Sequence, residues 1–112
     1  MAKKINLNDY LGHSMDCTCG KEHKTNLKIV DIDKDAVSRL PKHIEALGYK
    51  KPFLVADVNT WAAAGALVAE KLDVAGISYK KYIFNEKELI PDEKTLGSLM
   101  MAFSRDCDVI VA

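Results

Sequence analysis

The sequence has no surplus of either charge: 16 Lys and Arg stand against 16 Asp and Glu, which argues against an electrostatic nucleic-acid binder. Cysteine is sparse and odd in number, with only Cys17, Cys19 and Cys107, so the chain is no disulfide scaffold. Long apolar runs are missing too. Even the Ala-rich stretch after Trp61 is broken by Glu70-Lys71, short of the roughly 20 residues a bilayer requires. Met1-Ala2-Lys3-Lys4 leads into no apolar signal core. Neither nucleic acid nor membrane is therefore expected as a partner, and the expected location is reducing and cytoplasmic. Walker-type glycine loops, a Ser-His-Asp order and His-Glu-x-x-His are also absent. What is present is 48% hydrophobic and 29% charged residues over 112 positions. A chain of this size should bury roughly 65% of its extended surface, enough for one core without staples.

Beyond the first two dozen residues, short β-rich runs alternate with stretches of helical spacing, the pattern of βαβ units. The spacing predicts strands over Leu27–Ile32, Pro52–Asp57, Tyr79–Phe84 and Asp108–Ala112. Between the first two, Asp33–Leu47 places Val37, Leu40, Ile44 and Leu47 on one helical stripe, with Gly48 closing it. After Asp57, either Asn59 or Thr60 can cap a helix whose Trp61, Ala64, Leu67, Val68 and Leu72 face one way. Pro91-Asp92-Glu93 opens a third helix, with Leu96, Leu99, Met100 and Phe103 as its apolar face. Pro52–Asp57 reads as a central strand, being continuously apolar, and Tyr79–Phe84, which carries Lys80 and Lys81, as one nearer an edge. The fold expected is α/β: a three-layer, Rossmann-like parallel sheet of about four strands with right-handed crossovers. Residues 1–26 form a separate, mostly irregular segment with a Cys/His loop, and 27–112 a partial nucleotide-binding domain. The final strand reads as interior and stops where ligands of open α/β sheets sit. A piece of a longer protein is expected, with exposed apolar surface near Val111 and a tendency to form a homodimer.

Few residues could carry chemistry. Asp57 ends a buried strand, where a carboxylate can accept from both ribose hydroxyls and repel a 2′-phosphate, favouring NAD over NADP; it can equally receive backbone N–H groups at a helix start. Cys17, Cys19 and His23 could supply three of four zinc positions, yet one residue separates the cysteines where structural sites use two to four. The expectation is reduced thiols in an ordered loop, with no metal; a small zinc-binding adaptor is the minor reading. Cys107 reads as an inert buried hydrophobe, His43 as solvated, and Lys50-Lys51 and Lys80-Lys81 as solvated pairs.

Cys17-Thr18-Cys19-Gly20-Lys21-Glu22-His23, Leu40-Pro41, Leu54-Val55-Ala56-Asp57-Val58-Asn59-Thr60 with Ala64-Gly65, Leu89-Ile90-Pro91-Asp92-Glu93 and Asp106-Cys107-Asp108-Val109-Ile110-Val111-Ala112 follow one another in an order that resembles one family. That family is sn-glycerol-1-phosphate dehydrogenase, within the iron-containing alcohol dehydrogenase and dehydroquinate synthase superfamily, and the resemblance covers only its N-terminal part. It implies an oxidoreductase whose parent interconverts dihydroxyacetone phosphate and glycerol 1-phosphate, with NAD, or alternatively NADP, as cofactor. Asp57 then matches the adenosine-ribose contact, and Asn59 and Thr60 lie beside the adenine. The resemblance also implies a Gly-Ser-Gly-Thr type pyrophosphate loop after the final strand, and a divalent metal held by one Asp and two His of a helical C-terminal domain. No residue of this chain matches those ligands, so the His13 to His23 loop is not that metal site. The piece alone is expected to be inactive. The alternative is a stand-alone flavodoxin-like binding or regulatory module, since fold does not set function.

Overall fold

The computed structural model describes residues 6–15 and 17–112; residues 1–5 and 16 of the expected N-terminal segment lie outside them. The chain divides into two compact units, Met1–Lys34 and Asp35–Ala112. In the first, a 3₁₀ turn over Leu7–Tyr10 starts at Asn6, whose side chain accepts from the Asn8 N–H at 3.1 Å. Two short strands follow, β1 (Ser14–Met15) and β2 (His23–Lys24), paired antiparallel with Met15 opposite His23. None of the described side chains of this unit is buried.

The strand expected over Leu27–Ile32 does not form: that run has no regular structure. A strand persists only against a partner that takes up its backbone groups. Leu27 and Ile32, apolar ends of the run, are 59% and 80% exposed, so burial does not hold it either.

The second unit opens with α1 (Ala36–Ala46), which buries Ile44 and Pro41. Its end follows the sequence expectation. Gly48 takes φ +83°, its N–H reaches the Glu45 carbonyl at 2.9 Å, and the Tyr49 N–H reaches that of Ile44 at 3.1 Å. This is the paired closure in which a glycine tolerates the left-handed region. His43 is half-buried on this helix and holds a partner, not solvated as expected.

Next comes β3 (Pro52–Asp57), then a continuous helical run: α2 (Val58–Thr60), a π turn over Trp61–Gly65, and α3 (Ala66–Val74). Asp57 caps this run, in place of the expected Asn59 or Thr60. The inward positions are Trp61, Gly65, Val68, Ala69 and Leu72, while Leu67 is 43% exposed. The wider π turn moves the stripe by about one residue from where uniform α-helical spacing places it. The run ends at Gly76 with the same closure as α1: its N–H bonds to Asp73, and that of Ile77 to Leu72, each at 3.0 Å.

β4 (Lys80–Phe84), α4 (Glu93–Ala102) and β5 (Val109–Val111) complete the unit. Asp92 caps α4 by accepting from the Thr95 N–H at 2.9 Å. The strands form one parallel sheet, ordered β4-β3-β5. Among the described residues it has three strands, not four. β3 is central and β4 an edge, as the sequence suggests. β5 is the other edge rather than interior, with Ile110 55% exposed, because β4 and β5 already flank β3 and no described strand lies beyond β5.

Successive residues of β3 point to opposite faces. Leu54 enters a cluster with Ile44, Ala69 and Leu72 from α1 and α3. Phe53, 1% exposed, meets the Phe103 ring edge-on at 5.2 Å just past α4. α4 itself buries no residue, and its Leu96 and Met100, expected on an inward face, are 57% and 68% exposed. No helix among the described residues is long and apolar enough to cross a membrane.

The amino edge of the sheet is held by charge. Asp108 accepts from the N–H groups of Lys50 and Lys51 at 2.8 and 2.9 Å, clamping the entry of β5 to that of β3. Asp106 receives the ammonium of Lys51, the hydroxyl of Ser104 and, at 3.1 Å, the ammonium of Lys80. Those contacts, with Lys51 foremost, hold its carboxyl far below the usual range. Lys51 and Lys80 are thus ion-pair partners and not merely solvated. Cys107 is buried, as expected, with its thiol 3.7 Å from the Pro52 carbonyl.

Candidate functional site

At the opposite, carboxyl edge, β3 runs out into Asp57, half-buried and paired in register with Phe84 of β4. The local sequence explains what happens there. A carboxylate followed three residues later by Thr makes a reciprocal box: Asp57 Oδ1 accepts from the Thr60 N–H at 2.7 Å and from its hydroxyl at 3.0 Å, and Thr60 Oγ1 lies 3.0 Å from the Asp57 N–H. The Thr60 backbone N–H first, and its hydroxyl second, hold the Asp57 carboxyl below the usual carboxylate range. It is therefore an anion at neutral pH, an acceptor of hydrogen bonds only. Asn59 and Thr60, exposed, share its turn.

Beside this turn lies a cavity of about 260 Å³, bounded by Leu54 and Val111 of the sheet and by Thr60, Trp61, Gly65 and Val68 of the helical run. Among the described residues named earlier for the cofactor, Thr60 lines it and Asp57 and Asn59 do not. Trp61 and Gly65 shape it. The indole lies so close over Gly65 that a Cβ there would stand 2.7 Å from Trp61 Cε3. Lys81, which is exposed as expected, holds its Nζ 4.6 Å from the ring centroid, a cation–π contact. Sequence reasoning passed over this Trp-x-x-x-Gly pairing. Its signal was a large ring four residues before the smallest residue within a helical stretch. A more open depression of about 600 Å³ lies beyond β4, between Phe84 and the start of α4 at Asp92 and Leu96.

In the first unit, Cys17, Cys19 and His23 come together, with their ligand atoms all within 4.8 Å of one another.

No family model matches the chain, and no solved structure matches it. Curated proteins do. Glycerol-1-phosphate dehydrogenase [NAD(P)+] of Halalkalibacterium halodurans is 34% identical over 101 residues, which is 87% of this chain and 25% of that protein. The protein of the same name from Bacillus velezensis is 33% identical over 84 residues, 72% of this chain and 21% of its own length. That of Geobacillus stearothermophilus is 24% identical over 110 residues, 95% and 27% respectively. The chain spans about a quarter of the length of these relatives. Over most of its length this chain is thus a sequence relative of the glycerol-1-phosphate dehydrogenases, matching about a quarter of their length.

Proposed function

We propose that this chain forms the adenosine-binding part of an NAD(P)-binding domain in a polyol-phosphate oxidoreductase, with Asp57 as the ribose acceptor. The observation that carries the reading is an ionised carboxylate at the carboxyl end of the central strand of a parallel sheet, where open α/β sheets bind their ligands. Asp57 accepts from the ribose hydroxyls and disfavours a 2′-phosphate, so NAD is preferred to NADP. Asn59 and Thr60 lie beside the adenine. An acceptor-only carboxylate fits ribose hydroxyls, which can donate to it. The adjoining cavity of about 260 Å³ falls below the roughly 300–1,000 Å³ of whole-ligand pockets, a size for one ring system and not for a dinucleotide.

The nicotinamide, when bound, supplies the hydride chemistry. This chain's residues bind and orient, and none of them has a catalytic role. The names of the relatives support glycerol 1-phosphate as the substrate of the whole protein, and the resemblance of the sequence pairs it with dihydroxyacetone phosphate. The one Asp and two His expected to hold that protein's divalent metal have no counterparts here.

The test is titration of NAD and NADP against the product of the whole reading frame, wild type and Asp57→Asn. Asn keeps the helix cap and removes only the charge. The expected outcome is weaker NAD binding and a preference shifted towards NADP. Unchanged affinity and preference would leave Asp57 as a helix cap alone. A reading frame that ends at Ala112 would favour the stand-alone module.

A further inference from the structure

The first unit poses a physical problem. Its hairpin strands are two residues each, none of its described side chains is buried, and an isolated hairpin of that size is not stable in water. Units too small for a core are held by disulfides or metals. Here the chain turns back at Gly20 (φ +79°), whose N–H bonds to the Cys17 carbonyl at 3.1 Å. That turn sets Cys17 and Cys19 side by side at the head of the hairpin. β2 then brings His23 back to them, with Nε2 3.0 Å from Cys19 Sγ. The three ligand atoms lie within 4.8 Å of one another. A tetrahedral zinc ion with Zn–S of about 2.3 Å and Zn–N of about 2.0–2.1 Å requires S···S and S···N separations of roughly 3.5–3.8 Å. The observed spread closes onto that geometry with shifts of about 1 Å.

We propose that Cys17, Cys19 and His23 bind one Zn²⁺ ion that staples the N-terminal hairpin. Two thiolates and an imidazole select a borderline-soft ion over Mg²⁺ or Ca²⁺. All three side chains are exposed, so the fourth position opens to water. The short Cys-x-Cys spacing, which counts against zinc in the bare sequence, is offset by His23, which the strand pairing delivers from across the turn. This site is separate from the adenosine reading of Asp57 and stands or falls without it. Because the thiols must deprotonate, binding weakens as pH falls.

The experiment uses the untagged 112-residue chain, purified under reducing conditions. Elemental analysis is expected to give close to one zinc per chain, or the apoprotein to take up one equivalent of added Zn²⁺. Co²⁺ in its place is expected to show thiolate-to-metal charge transfer and the intense visible bands of a tetrahedral site. Cys17→Ser, Cys19→Ser and His23→Gln should each weaken zinc binding, measured against a chromophoric chelator, by more than about 100-fold, since losing a group that merely orients a ligand already costs about 10–100-fold. Cys107→Ser should leave it unchanged. No zinc bound by the wild type, either as purified or after addition, would overturn the proposal without recourse to any variant. Zinc retained by the Cys17→Ser/Cys19→Ser double variant would overturn it equally, as would cobalt spectra lacking the thiolate band.

Discussion

Replacing Gly65 by Ala tests the packing that shapes the carboxyl-edge cavity, because two opposing effects of known size meet there. Gly65 has φ −58° and ψ −42°, ordinary helical values, so Ala at that position gains about 0.8–1 kcal/mol of helix propensity. Its Cβ, however, would stand 2.7 Å from Trp61 Cε3 and 3.2 Å from Cδ2, where unstrained carbon contacts lie at about 3.5–4.0 Å. An overlap approaching 1 Å with a ring held beneath Lys81 resembles overpacking, which costs about 1–3 kcal/mol. The single variant is therefore expected to lose about 1 kcal/mol net. In a Trp61→Ala background the obstruction is gone, and the same substitution should stabilise by about 1 kcal/mol. The sign reversal is the signature, a coupling of about 2 kcal/mol between contacting residues. Urea unfolding followed by far-ultraviolet circular dichroism measures it in all four proteins; fluorescence does not serve, because Trp61 is the sole tryptophan. A gain of the same size in both backgrounds, with coupling below about 0.5 kcal/mol, would show that the ring does not rest on Gly65.

Leu72→Ala removes a side chain with no exposure from the cluster around Leu54, and a loss of about 2–5 kcal/mol is expected. It should be read as a lower urea midpoint at unchanged slope; a loss under about 0.5 kcal/mol would place Leu72 outside the core. The backbone N–H groups of Lys50 and then Lys51 hold the Asp108 carboxyl below its ordinary 3.8. The folded value is the lower one, so its stabilisation is complete above the unfolded value near 4 and fades as pH falls through and below it. The difference in urea midpoint between wild type and Asp108→Asn is therefore expected to be constant from pH 7 to about 5 and to shrink below about 4. A difference that grows on acidification would contradict the clamp.

Periodicity and end signals alone determined much of the second unit. The apolar run Pro52–Asp57 is the central strand, as a run apolar on both faces requires, while Gly48 ends the first helix and Asp92 starts the last one because each of these ends rests on interactions within a few residues. Pairing over longer distances was not legible. Leu27–Ile32 has the composition of a strand but pairs with no described strand, while Lys51 and Lys80, read as solvated, converge on Asp106 because the parallel register brings the strand starts together. Asp57 lies between these cases. The sequence placed it at a strand end, a position that favours a helix cap over a ribose acceptor; the fold engaged its Oδ1 with Thr60 and kept it ionised. Cys17, Cys19 and His23 were visible as residue types, but their convergence required a turn and a strand pairing that bring His23 back across the hairpin. Local bonding sets the elements, whereas the meeting of distant side chains depends on which backbone edges find each other, and only the tertiary structure decides that.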